Sequence, residues 1–104
     1  MHSGATEYGR MIYWRSMELK ELERPLKALA NKRRLAILRF LKKNGEANVT
    51  EIAEVIKLSV KSTSRHLAVL FSADLVDREQ RSLEVYYRPA DLYPSVIRGI
   101  LSIL

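Results

Sequence analysis

The sequence predicts a mainly α-helical domain carrying one small β-hairpin. Three observations lead to that expectation. Apolar residues recur at helical spacing through most of the chain. Two short helical stretches, 49–57 and 60–73, are separated only by Leu58 and Ser59. The period then drops to two between residues 75 and 88, with the polar stretch "QRS" (80–82) in the middle.

Residues 1–10, "MHSGATEYGR", hold two glycines and little apolar content, and a loosely ordered segment is expected over 1–15. The domain is expected over 16–104. Ile12, Leu19, Leu22, Leu26 and Leu29 follow one another at spacings of seven, three, four and three, a one-sided helical stripe. Pro25 interrupts it. Proline inside a helix costs about 3 kcal/mol, so a kink or short break is expected near Glu23–Pro25.

The stretch 31–45 is the second helix, with Asn31 as its N-cap, Leu35, Leu38 and Leu41 on its buried side beside Ile37, and Asn44–Gly45 as a left-handed stop. The third, 49–57, is short; Thr50 is its expected cap, and Ile52, Ala53 and Ile56 face inward. Ser59 caps the next helix, which begins at Val60. Two short helices joined by a tight turn form a helix-turn-helix. Val76 and Arg78, then Leu83, Val85 and Tyr87, mark two strands of a hairpin over 76–88 with its tip at 80–82. Asp91 is the expected cap of a last helix, with Pro94 in its first turn. The order describes a winged helix-turn-helix between flanking N- and C-terminal helices.

The chain has 104 residues, 47% hydrophobic and 29% charged, a balance that suits one folded domain. Its net charge is +6, which attracts polyanions, with nucleic acid ahead of an anionic membrane surface. No apolar run reaches the roughly 20 residues of a membrane span, and the N-terminus has no signal-peptide core, so a cytoplasmic location is expected. The absence of cysteine excludes disulfides, thiolate metal sites and thiol redox sensing.

The helix from Val60 to Ala73 contains no acid. On a 3.6-residue period Thr63, Leu67 and Leu70 form one face, with His66 at its edge. Val60, Lys61, Ser64, Arg65 and Ala68 form the opposite face, and Ser62 lies in the first turn. A DNA major groove admits one α-helix and offers acceptors, donors and thymine methyls. Arg and Lys suit guanine acceptors, Ser suits several edges, and Val or Ala suits a methyl. The expected DNA-binding residues are therefore Val60, Lys61, Ser62, Ser64, Arg65 and His66, with Arg81 reaching a minor groove or phosphate from the wing. The cluster "NKRR" (31–34) is read equally as a solvated face and as a phosphate clamp.

"LKALANKRRLAILRFL" followed by "LSVKSTSRHLAVLFSADLV" and then "VYYRP" resembles the ArsR-type winged-helix transcriptional regulators over about Leu26–Pro89. Ser64, His66 and Leu67, with Val69–Leu70 and Leu75–Val76 behind them, are the specific part. The resemblance implies a homodimer that binds operator DNA and represses transcription, with its recognition helix at 60–73 and its wing at 76–88. Many such regulators sense metals through a cysteine pair ahead of the turn; the matching stretch here, "NVTEIAE" (48–54), has none. Others use Asp and His on the last helix, where only Asp91 remains. No metal ligand set and no cofactor is expected, and the sequence names no effector. Asp74 stands where a glycine is common, and it tolerates left-handed φ. Phe71 replaces a usually polar residue and is expected to be exposed or to meet a partner.

His66 is expected to be a packed or hydrogen-bonded residue rather than a ligand. Ser64, Arg65 and His66 point in different directions from one helix and cannot form a triad, and the glycines are scattered, so no enzyme is expected. Leu92, Val96, Ile97, Ile100, Leu101, Ile103 and Leu104 cannot all face one small core. Dimerisation through the first and last helices follows. The reading is a homodimeric regulator of double-stranded DNA. The alternative is a winged-helix module that joins a larger protein assembly.

Overall fold

The computed structural model describes residues 18–93 and 95–104. The expectation for 1–15, and Pro94 in the last helix, lie outside the described residues. The elements are α1 (Leu19–Leu29), α2 (Lys32–Asn44), β1 (Ala47–Asn48), α3 (Val49–Ile56), α4 (Val60–Ser72), β2 (Val76–Arg81), β3 (Glu84–Pro89) and α5 (Ser95–Leu101).

The helix starts follow local chemistry. The Asn31 side chain accepts from the Arg34 N–H at 3.0 Å, and Ser59 Oγ accepts from the Ser62 N–H at 3.1 Å. Gly45 ends α2 at φ 94°, and Lys57 and Asp74 close α3 and the α4–β2 turn at φ 59° and 60°. Glycine adopts such angles at no steric cost; Asp74 supplies the same conformation without being one.

Four expectations change. Asn48, not Thr50, caps α3: its Oδ1 accepts from the Glu51 N–H at 2.8 Å, while Glu51 Oε1 accepts from the Asn48 N–H at 2.9 Å. This reciprocal box satisfies two N–H groups at once, and a hydroxyl at Thr50 offers nothing comparable. Of the kink or short break expected near Pro25, the break does not occur: Pro25 lies inside α1 with its ring buried. The last helix begins at Ser95, so Asp91 sits in a bend ahead of it and is not its cap. The wing tip is Ser82–Leu83, one residue beyond the expected centre, because the strand pairing runs on to Arg81↔Glu84.

The sheet has the order β1–β3–β2, and the two-residue β1 pairs Ala47 with Tyr87 and Asn48 with Tyr86. This third strand ties the wing to the α2–α3 connection. Ile37, Leu41, Ile52, Leu67, Leu70, Leu75, Val76 and Ile97 are fully buried at the centre. Burying such a side chain stabilises by about 1.5–3 kcal/mol, so α5, which supplies Ile97, is part of the core. Leu35 and Ile56 are half-buried against it.

The α1 stripe is only partly covered. Leu29 is buried, but Leu19 is 83% and Leu26 40% exposed, and the inward side of α1 is Pro25, Ala28 and Leu29. At the other end of the chain Leu92, Val96 and Ile103 are exposed, while Ile97 and Leu101 are buried.

Candidate nucleic-acid interface

The turn before α4 is short because α3 ends sharply. Lys57 takes a left-handed conformation and the Leu58 N–H donates to Ala53 O at 3.1 Å. The chain then enters α4 through Ser59. Thr63 is the anchor of the first turn. It is fully buried, and its Oγ1 donates to Ser59 O at 2.8 Å. That bond satisfies a hydroxyl that would be costly to bury alone. Leu67 and Leu70 continue the buried face.

Rotation about that anchored face fixes what α4 shows to solvent. Val60, Lys61, Ser64, Arg65 and Ala68 are exposed, and Ser62 and His66 are half-buried. Lys57 is exposed in the turn just ahead, a cation that sequence periodicity did not single out. No acid lies on α4.

His66 is held from behind. Its Nδ1 lies 3.3 Å from Arg34 Nη1. A guanidinium only donates, so Nδ1 accepts and the neutral ring carries its proton on Nε2. Burial, and then the charges of Arg34 and Arg33, hold the His66 pKa below its usual value. The ring is therefore a neutral, hydrogen-bonded edge residue. The "NKRR" cluster divides: Lys32 and Arg33 are exposed, while Arg34 turns inward.

The wing is braced rather than free. Arg81 makes two short bonds to Glu46, at 2.7 and 2.9 Å, and a third to Glu79 at 3.0 Å. Its guanidinium lies 4.6 Å from the centre of the Tyr86 ring. These contacts hold the Glu46 carboxyl below its usual range. Arg81 thus faces carboxylates before any phosphate is present. Beyond it, Leu83 is 95% exposed at the tip and Ser82 sits at φ 58°. At the wing's base, Arg78 stacks 3.9 Å from the centre of the Phe71 ring. Phe71 is half-buried and covered by a cation of its own chain.

The exposed face of α4 thus carries Lys61 and Arg65 and no acid, a charge balance that attracts polyanions. Among the described residues no helix is long and apolar enough to cross a membrane.

The profile of the bacterial regulatory proteins of the arsR family matches residues 31–78. The arsenical resistance operon repressor of Bacillus subtilis (strain 168) is 32% identical over 84 residues, covering 81% of this chain and 77% of that protein. The transcriptional activator HlyU of Vibrio cholerae is 38% identical over 78 residues, covering 68% of this chain and 71% of that protein. The solution structure of a homodimeric winged helix-turn-helix DNA-binding domain from Mycobacterium bovis aligns with a TM-score of 0.71 at 33% identity, covering 82% of this chain and 75% of that one. With such identities extending over most of its length, the chain belongs to the arsR family of bacterial regulatory proteins, winged-helix DNA-binding regulators of transcription rather than enzymes.

Proposed function

We propose that the chain is a homodimeric, sequence-specific repressor that lays α4 in the major groove. The observation that carries this reading is the exposed face of α4, where Lys61, Ser64 and Arg65 stand together without an acid. Lys61 and Arg65 suit guanine acceptors, Ser64 and Ser62 suit base or phosphate oxygens, and Val60 suits a thymine methyl. Lys57 and the wing follow the backbone on either side. His66, with Nδ1 engaged by Arg34, can offer its Nε2–H to a phosphate.

Dimerisation is supported by the exposed apolar residues of the flanking segments, Leu19 and Leu26 on α1 and Leu92, Val96 and Ile103 around α5. The M. bovis domain of the same fold is described as homodimeric. A two-fold pair presents two α4 helices to a two-fold DNA site. Repression needs only occupancy of promoter DNA, which such a pair provides.

The test is selection of bound fragments from the source genome, followed by binding at several salt concentrations. Expected is an inverted repeat, bound tightly and with a steep salt dependence, that blocks transcription in vitro when it overlaps a promoter. Binding with no sequence preference would overturn specific reading, and stimulated transcription would overturn repression.

A further inference from the structure

The wing ends in a two-residue tip, Ser82–Leu83, beyond the last strand pair Arg81↔Glu84. Leu83 is the most exposed large apolar side chain among the described residues, at 95%. Two-residue hairpin tips favour glycine or asparagine where φ is positive. Here Ser82 takes φ 58° and a leucine follows it, so turn chemistry accounts for neither residue.

The polar side chains beside the tip are engaged within the chain. Arg81 is held by Glu46 and Glu79. Gln80 Nε2 donates to Ser82 O at 3.3 Å, and Asn48 Nδ2 donates to Glu84 Oε1 at 2.5 Å. Through Asn48 and Glu46 these bonds fasten both wing strands to β1 and to the residue before it. What the tip then offers is the Leu83 hydrocarbon and the Ser82 hydroxyl, both exposed. With its cation matched by carboxylates, the tip adds little by neutralising phosphate. An apolar group on a stiff mount has a different use on a duplex. Minor-groove proteins insert leucine and similar side chains between base pairs, unstack one step and kink the helix. A braced tip loses little freedom in doing so.

We infer that Leu83 is such a wedge, entering the minor groove beside the α4 site and partly unstacking one base step there. The inference rests on the reading of α4 as the helix in the adjacent major groove. It gives a part in specificity to a side chain with no hydrogen-bonding group. Pyrimidine–purine steps unstack most easily, so the sequence under the tip is selected by its deformability.

The test places 2-aminopurine at successive steps beside each α4 site of the selected operator, and in a duplex of unrelated sequence. Its fluorescence is followed as the full chain is added. Expected is a rise at one step beside each α4 site, larger when that step is TA or CA than when it is GC. Leu83→Ser abolishes the rise and weakens operator binding about tenfold, with the base preference under α4 unchanged. Leu83→Phe retains the rise. Unchanged melting temperatures show that both variants are folded. Operator binding with its full base preference but no rise, or a rise that Leu83→Ser retains, would overturn the wedge alone. A lower sedimentation mass for Leu83→Ser would also overturn it, since the tip would then belong to the contact between copies. Binding without sequence preference would overturn the specific reading by α4, while a rise on the unrelated duplex that Leu83→Ser abolishes would still support the wedge. Absence of any duplex binding would overturn both.

Discussion

Arg34 joins the C-terminal end of α1 to the side of His66 on α4. Its Nε donates to Ala28 O at 2.6 Å, its Nη2 to Lys27 O at 3.2 Å, and its Nη1 to His66 Nδ1 at 3.3 Å. A cation on the last carbonyls of a helix is favourable on its own account. Here it also ties the flanking helix to the helix that carries Lys61 and Arg65. Arg24 makes a second tie of this kind, from its Nη1 to Ser72 O at 3.0 Å.

That arrangement makes stability depend on pH. The folded pKa of His66 lies below 6.5, first through burial and then through Arg34 and Arg33. Below 6.5 the unfolded chain therefore binds the proton more readily than the folded one. The stabilisation from the neutral ring is present above 6.5 and is lost as pH falls from there through the folded value. His66→Gln keeps an acceptor for Arg34 and cannot be protonated in this range. Urea midpoints at about pH 7.5 and about pH 5.5 should fall less for the variant than for the native chain. Equal falls would show that the ring does not contribute this dependence.

On the exposed face of α4, Lys61→Ala and Arg65→Ala should each change stability by no more than about 0.5 kcal/mol. Each should cost roughly 1–3 kcal/mol in the operator complex and relax the preference at one base position. Competition binding with single-base variants of the operator measures both effects. If both substitutions leave affinity and base preference unchanged, α4 is not the reading helix.

The buried and exposed faces of α4 were legible in the sequence for a local reason. Ser59, Thr63, Leu67 and Leu70 act within one helix, and periodicity together with a cap residue suffices to rotate it correctly. The left-handed φ of Asp74, 60°, follows instead from the resemblance, in which a glycine is common at that place. The misses involve partners remote in sequence or competing local choices. Arg34 reads as one of four residues in "NKRR", and only the approach of α1 and α4 sets it apart from Lys32 and Arg33. Arg81 reads as a free cation until β1 brings Glu46 beside the wing, 35 residues away in sequence. At α3, Asn48 and Thr50 are both good caps, and Glu51 decides between them by completing the box with Asn48.

The brace on Arg81 gives a prediction of its own. Phosphate must compete with Glu46 and Glu79 for this guanidinium. Because Arg81 holds the Glu46 carboxyl below its usual range, mild acid will not break the pair, and a substitution is needed. Glu46→Gln removes the chief competitor and one negative charge from the wing. It should strengthen binding to all DNA sequences alike and steepen the salt slope by up to about one unit. Arg81→Ala should leave that slope nearly unchanged if the native residue stays with its carboxylates. Flattening by about one unit in Arg81→Ala would show that the carboxylates yield to phosphate on binding.

The proposed pairing surface is best tested by point substitution rather than by shortening the chain. Removing 96–104 would take Ile97 and Leu101 out of the core, and Ile97 is fully buried. Loss of DNA binding would then report unfolding. Val96 is 49% and Leu26 40% exposed, and neither belongs to the core cluster. A glutamate at either position costs the isolated protomer little, since substitutions at open surface positions usually stay within about 0.5 kcal/mol. In a two-fold contact it would place like charges near one another and leave them desolvated. Val96→Glu and Leu26→Glu should therefore sediment at half the native mass while keeping the native helical circular dichroism. Linking two half-sites gains a factor of roughly 10²–10⁴ over one site, and these variants should lose operator affinity within that range. Variants that stay dimeric and bind the operator normally would remove α1 and α5 from the pairing surface.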